Sequence, residues 1–218
     1  MKKFIKNNSL SLVFLFFFIV TFAAQVYFGH QEYNKELVDD GGHPVALIKY
    51  LTSGHFVEST FENWESEFLQ MALFVVFTIY LKQKGSSESK KFDGTDEVDR
   101  KPDPTKQDAP KAVKKGGFIL MLYKNSLTIV LLLLFIISFV LHFYGSLADE
   151  NTQNILKGES LTAARDYITD SRFWFESFQN WQSEFLSIFA IVSLSIYLRQ
   201  YGSSQSKPVD APHSETGE

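Results

Sequence analysis

The chain of 218 residues predicts an all-α polytopic membrane protein, with four transmembrane helices arranged as a tandem, parallel repeat of two-helix units. Three observations predict it. Apolar residues gather in four blocks, the two halves of the chain match at a fixed offset, and lysines gather beside the block ends that should share one side of the membrane. Average composition hides this. A 45% hydrophobic content and a mean hydropathy of −0.06 are those of a soluble domain, yet 22 phenylalanines lie mostly in or beside the blocks.

The first block includes SLVFLFFFIVTFAAQVYF and predicts a span over 9–28, long enough to cross a bilayer core that needs roughly 20 residues. Lys2, Lys3 and Lys6 before it and Thr21-Phe22-Ala23 within it are also the pattern of a secretory signal peptide. The same element recurs in mid-chain at Asn125, which favours a retained helix over a cleaved leader. The second block, FLQMALFVVFTIYL, predicts a span over 64–82 once Trp64 sits in the headgroup layer. The third includes SLTIVLLLLFIISFVLHFY and predicts a span over 120–144. The fourth, FLSIFAIVSLSIYL, predicts a span over 181–199, with Trp181 as its interface anchor. Blocks two and four are short enough that a buried soluble helix is the competing reading.

Asn8-Ser9-Leu10 matches Asn125-Ser126-Leu127, Asn63-Trp64 matches Asn180-Trp181, and Gly85-Ser86-Ser87 matches Gly202-Ser203-Ser204. The offset is about 117 without a gap, with roughly 32 identities over roughly 83 aligned positions. Polar positions match as well as apolar ones, so the similarity is a duplication rather than shared apolarity. The organisation follows: a first two-helix repeat over 1–84 with outer loop 29–63, a polar linker over 85–117, a second repeat over 118–201 with outer loop 145–180, and a tail over 202–218. Linker and tail are poor in apolar residues and are expected to be disordered. Within the outer loops, 44–51 and 161–168 read as short amphipathic helices, with Pro44 in a first turn and Ser160 as a cap.

Lys82 to Lys124 holds 11 Lys and Arg residues, against two in 29–63 and three in 145–180. The basic side is the cytoplasmic one, so both ends and the linker are expected inside a bacterial inner membrane. The lipid bilayer is then the main partner. A homo-oligomer is compatible with so thin a bundle, no particular protein partner is indicated, and the net charge of −4 argues against nucleic acid.

The repeated signature is Phe61-x-Asn63-Trp64-x-Ser66-Glu67-Phe68-Leu69 and Phe178-x-Asn180-Trp181-x-Ser183-Glu184-Phe185-Leu186. At 100° per residue Asn63, Glu67 and Gln70 share one helix face, and Asn180 and Glu184 share the equivalent one. Gln25 and His142 add polar positions to the first and third spans. An ionisable group within a span is costly and is a functional suspect, so Glu67 and Glu184 could bind a cation or carry protons. The structural reading weighs more. Each Glu would lie in the first turns of a helix, with Asn63 or Asn180 as cap and the adjacent Trp as anchor. His142 alone is more often a packed histidine than a metal ligand, and His30, His43 and His55 fit no ligand spacing, so no metal site is expected.

Cysteine is absent, which removes thiol catalysis and disulfides. No HExxH, GxSxG or phosphate-cradling glycine loop occurs, and no cofactor is indicated. A non-enzymatic structural, interaction or envelope-maintenance role therefore ranks first, a small cation or proton channel or transporter second, and a membrane enzyme third. The stretches FENWESEFLQM, LKQKGSSESK and SKPVDAPHSETGE resemble an uncharacterised bacterial membrane-protein family, a domain-of-unknown-function family, over nearly the whole chain outside the linker. The resemblance implies a cytoplasmic-membrane protein and brings no activity or catalytic residue.

Overall fold

The computed structural model describes residues 2–217, and among them there are helices and turns but no strand. A short helix α1 (Lys2–Asn7) breaks at Asn8 and is followed by α2 (Ser9–Asp39). The break has a local cause: the Asn8 side-chain amide donates to the Phe4 carbonyl at 2.8 Å, capping α1 from below. A turn-length helix α3 (Leu47–Tyr50) and a long α4 (Gly54–Tyr80) follow. Then come α5 (Lys111–Lys115), α6 (Gly117–Lys124), α7 (Ser126–Lys157), turn-length α8 (Ala164–Tyr167) and α9 (Ser171–Leu194). Two of these, α2 and α7, are long and apolar enough to cross a membrane, with mean hydropathies of 2.2 and 2.6 in their best windows.

Local geometry recurs at the 117-residue spacing. Asn125 donates to the Met121 carbonyl at 2.8 Å, as Asn8 does to Phe4. α2 and α7 both stop at a glycine in the left-handed region, Gly41 at φ +83° and Gly158 at φ +71°. There the next amide turns back: Gly42 donates to Leu37 at 2.7 Å and Glu159 to Asn154 at 2.8 Å. These are helix terminations that satisfy free carbonyls and tolerate only a residue without a Cβ at little cost. Asn34 accepts from the Val45 amide at 2.7 Å and Asn151 from the Thr162 amide at 2.7 Å, fixing the entry to α3 and α8.

The short outer helices are shorter than expected, covering only 47–50 and 164–167. Ala46 and Ala163 precede them without any side-chain cap, so neither Pro44 nor Ser160 serves the role the sequence suggested. In the polar 85–117 segment a 3-10 turn at Glu97–Asp99 is held by Lys90, whose ammonium reaches Asp99 at 2.6 Å.

The chain divides into two compact units. One comprises Met1–Phe61 with Val140–Phe173, the other Glu62–Phe139 with Trp174–Glu218. In the first, Tyr33, Leu37 and Tyr50 form a buried core, flanked by Val45, Leu51, Phe56 and Leu156. The backbones of α4 and α7 touch there. A Cβ on Gly145 would stand 2.6 Å from the Glu58 nitrogen, and one on Gly54 would stand 2.6 Å from the Gly145 carbonyl oxygen. Small residues at such crossings allow helices to approach to backbone contact. In the second unit, Trp181 packs edge-on to Phe135 and Phe178, with centroids 6.4 and 5.4 Å away.

Candidate functional site

The helix that carries Asn63 and Glu67 starts well before them. Ser53 caps α4, its hydroxyl accepting the Phe56 amide at 3.2 Å, and Asp170 caps α9, accepting the Arg172 amide at 2.7 Å. These two residues stand at the same place in the two halves, and each satisfies a free N–H of a first turn. Asn63 and Asn180 follow them by ten residues, so they are mid-helix and do not cap. The expectation that Glu67 and Glu184 occupy first turns fails for the same reason. Both helices run through the polar signature, because their capped starts at Ser53 and Asp170 lie upstream of it.

In the second unit α4 and α9 supply the carboxylates. Glu67 is exposed and Glu184 is half-buried. Carboxylate oxygens of Glu62 and Glu176 lie within 4.8 Å of each other. Between Glu62 and Leu81, and between Trp174 and Leu198, the sequence holds five glutamates and no Lys or Arg. The fifth, Glu65, is fully buried and accepts the Trp181 indole N–H at 2.9 Å. Trp181 is therefore a hydrogen-bonded tie between α4 and α9. Trp64 is half-buried. Gln70 is buried, whereas Asn63 is exposed and donates to its neighbour Glu62 at 3.5 Å. Asn180 turns back on its own helix, donating to the Glu176 carbonyl at 3.1 Å.

Gln25 and His142 belong to the first unit. Gln25 donates to the Ser59 carbonyl at 3.3 Å and to Thr60 Oγ1 at 3.4 Å, joining α2 to α4. His142 is fully buried against the Phe173 ring, with centroids 5.0 Å apart. The outer histidines are held separately. His30 Nε2 lies 2.7 Å from the Val45 carbonyl oxygen, and His55 Nε2 lies 3.6 Å from Glu36.

The densest charged arrangement was not anticipated from the sequence. Arg172, at the start of α9, donates from Nη1 to Glu150 at 2.8 Å and from Nη2 to Asp149 at 3.2 Å and Glu58 at 3.0 Å. Glu58 lies on α4 and the two acidic neighbours on α7, so one guanidinium joins three helices of the first unit. The Glu58 and Asp149 side chains are only 10% and 4% exposed. Asp149 also accepts the Gln153 amide at 2.8 Å. The planar fork of arginine suits such multiple carboxylate contacts. Burial pushes the Tyr50 phenol above its ordinary value, with the Glu36 charge adding.

An all-helical chain with two helices fit to span a bilayer is the class these observations define. The chain belongs to the DUF6766 family, a domain of unknown function, whose family model matches residues 1–218. That agrees with the resemblance to an uncharacterised family carried by the FENWESEFLQM and LKQKGSSESK stretches. No curated protein and no solved structure matches the chain.

Proposed function

We propose that the protein is an integral membrane protein of four spans, built from two tandem two-helix units, with a non-enzymatic structural, interaction or envelope-maintenance role in a bacterial inner membrane. Both ends and the 85–117 linker lie on the cytoplasmic side in this reading. The recurrence of caps, breaks and glycine terminations at one spacing supports the duplication. α4, at 27 residues, and α9, at 24, are long enough to cross roughly 30 Å at about 1.5 Å per residue. The lysine-rich linker supports the orientation.

The observation that carries the structural role is Arg172. It is bound by three carboxylates on two other helices and spends its charge on holding helices together. A second reading, a cation or proton path, is favoured by five glutamates, Glu67 and Glu184 among them, in helical segments without a basic residue. Reconstitution in liposomes separates the two. The structural reading expects no cation or proton flux above that of protein-free vesicles. A flux that Glu67→Gln with Glu184→Gln abolishes would replace it with the second.

A further inference from the structure

The second unit holds a feature that neither helix tying nor a carboxylate path uses. After α4 and after α9 the same octapeptide pattern appears, Gln83 to Lys90 and Gln200 to Lys207. It folds the same way twice. The Gln83 amide donates to Ser89 Oγ at 2.9 Å and the Gln200 amide to Ser206 Oγ at 2.9 Å. Each serine then donates to the carbonyl of the following lysine, at 3.1 Å in both copies. The turn closes a helix exit and presents a lysine.

The two lysines meet different fates. Lys90 reaches a carboxylate, Asp99. Lys207 is 2% exposed, and its ammonium donates to three backbone carbonyls, Pro212 at 3.3 Å, His213 at 3.2 Å and Glu215 at 2.7 Å. An ammonium has three donors, and burying it is costly unless they are matched. Here the 212–215 loop matches them with main-chain oxygens. The loop is then positioned to join the two helix exits. Gly85 N–H donates to Thr216 Oγ1 at 2.9 Å, and Gly217 N–H to the Ser86 carbonyl at 3.0 Å. Arg199 donates to the Ala211 carbonyl at 3.1 Å. Beneath the loop, Ser86 Oγ and Ser195 Oγ lie 2.9 Å apart, both buried.

We infer that residues 208–217 form a latch that clips the exit of α4 to the exit of α9, and that Lys207 is its pin. The latch fixes the spacing of the two helix ends. The pin works by charge and donor number, so a small ammonium compound can stand in for it.

The chain has no cysteine, which makes the test clean. Nitroxide labels at Lys84→Cys and Ser214→Cys, both exposed positions, report the latch by pulsed electron resonance on the full chain in detergent. The expected result is one narrow distance distribution. Lys207→Ala should broaden it, 50 mM methylammonium should narrow it again, and Lys90→Ala should leave it narrow. A distribution that Lys207→Ala leaves narrow would overturn the inference, as would one that Lys90→Ala broadens equally. If Lys207→Ala does not fold, hydrogen exchange on the unaltered chain decides. The Gly85 and Gly217 amides should be protected at least 100-fold, and unprotected amides would overturn the latch.

Discussion

Replacing Arg172 by methionine keeps much of the side-chain volume and removes the guanidinium, leaving Glu58, Asp149 and Glu150 to face one another. Breaking a buried ion pair by removing one partner costs about 3–5 kcal/mol. The Arg172 side chain is 31% exposed and that of Glu150 28%, so water offsets part of the loss. The low end, about 3 kcal/mol, is expected. For a chain of this size it lowers the apparent melting temperature by roughly 6–12 °C. The informative companion is Arg172→Met with Glu58→Gln and Asp149→Asn. If the cost is uncompensated buried charge, neutralising the two most buried carboxylates recovers more than half of the loss. The assay is thermal unfolding in detergent followed by monodisperse elution. Arg172→Met melting within about 1 °C of the unaltered chain would refute the reasoning. So would a triple variant less stable than the single one.

Three further outcomes follow from the geometry. Ser53→Ala and Asp170→Ala each remove a helix cap and should cost about 0.5–2 kcal/mol in the same melts, whereas Asn63→Ala, at an exposed mid-helix position, should change stability by less than about 0.5 kcal/mol. Gly145→Leu should prevent the α4 and α7 backbones from meeting and abolish the monodisperse fold, since even a Cβ there stands 2.6 Å from the Glu58 nitrogen. The Tyr50 phenol is raised above 10.0, so it favours the neutral form more in the folded than in the unfolded chain. Its contribution is fully present below pH 10 and is lost as pH rises through the folded value, so Tyr50→Phe should flatten the loss of stability measured above pH 10.

Much of the fold was legible because it is written in local patterns. The apolar blocks of α2 and α7 lie where their lengths and flanks put them, and the repeat offset located α3 against α8. The caps were not legible by the same route. Ser53 and Asp170 do the same work with different residues, so identity between the halves does not mark them, whereas Asn63 and Asn180 are identical. Glu65 was hidden for a related reason: its counterpart is Gln182, which left it as an unnamed position in the shared signature. Arg172 and Glu58 are 114 residues apart, and no periodicity connects them. Pairing of that kind depends on how α4, α7 and α9 pack, and packing is set by shape complementarity that a single sequence does not display.

Four crossings would put both outer loops on the same side of the membrane. Single cysteines in this cysteine-free chain test it with a membrane-impermeant maleimide on intact cells. Asp40→Cys and Glu159→Cys should both label from outside, and Lys106→Cys only after the membrane is opened. If only α2 and α7 cross, Asp40→Cys and Lys106→Cys would label together and Glu159→Cys would be protected, and that pattern would contradict the account.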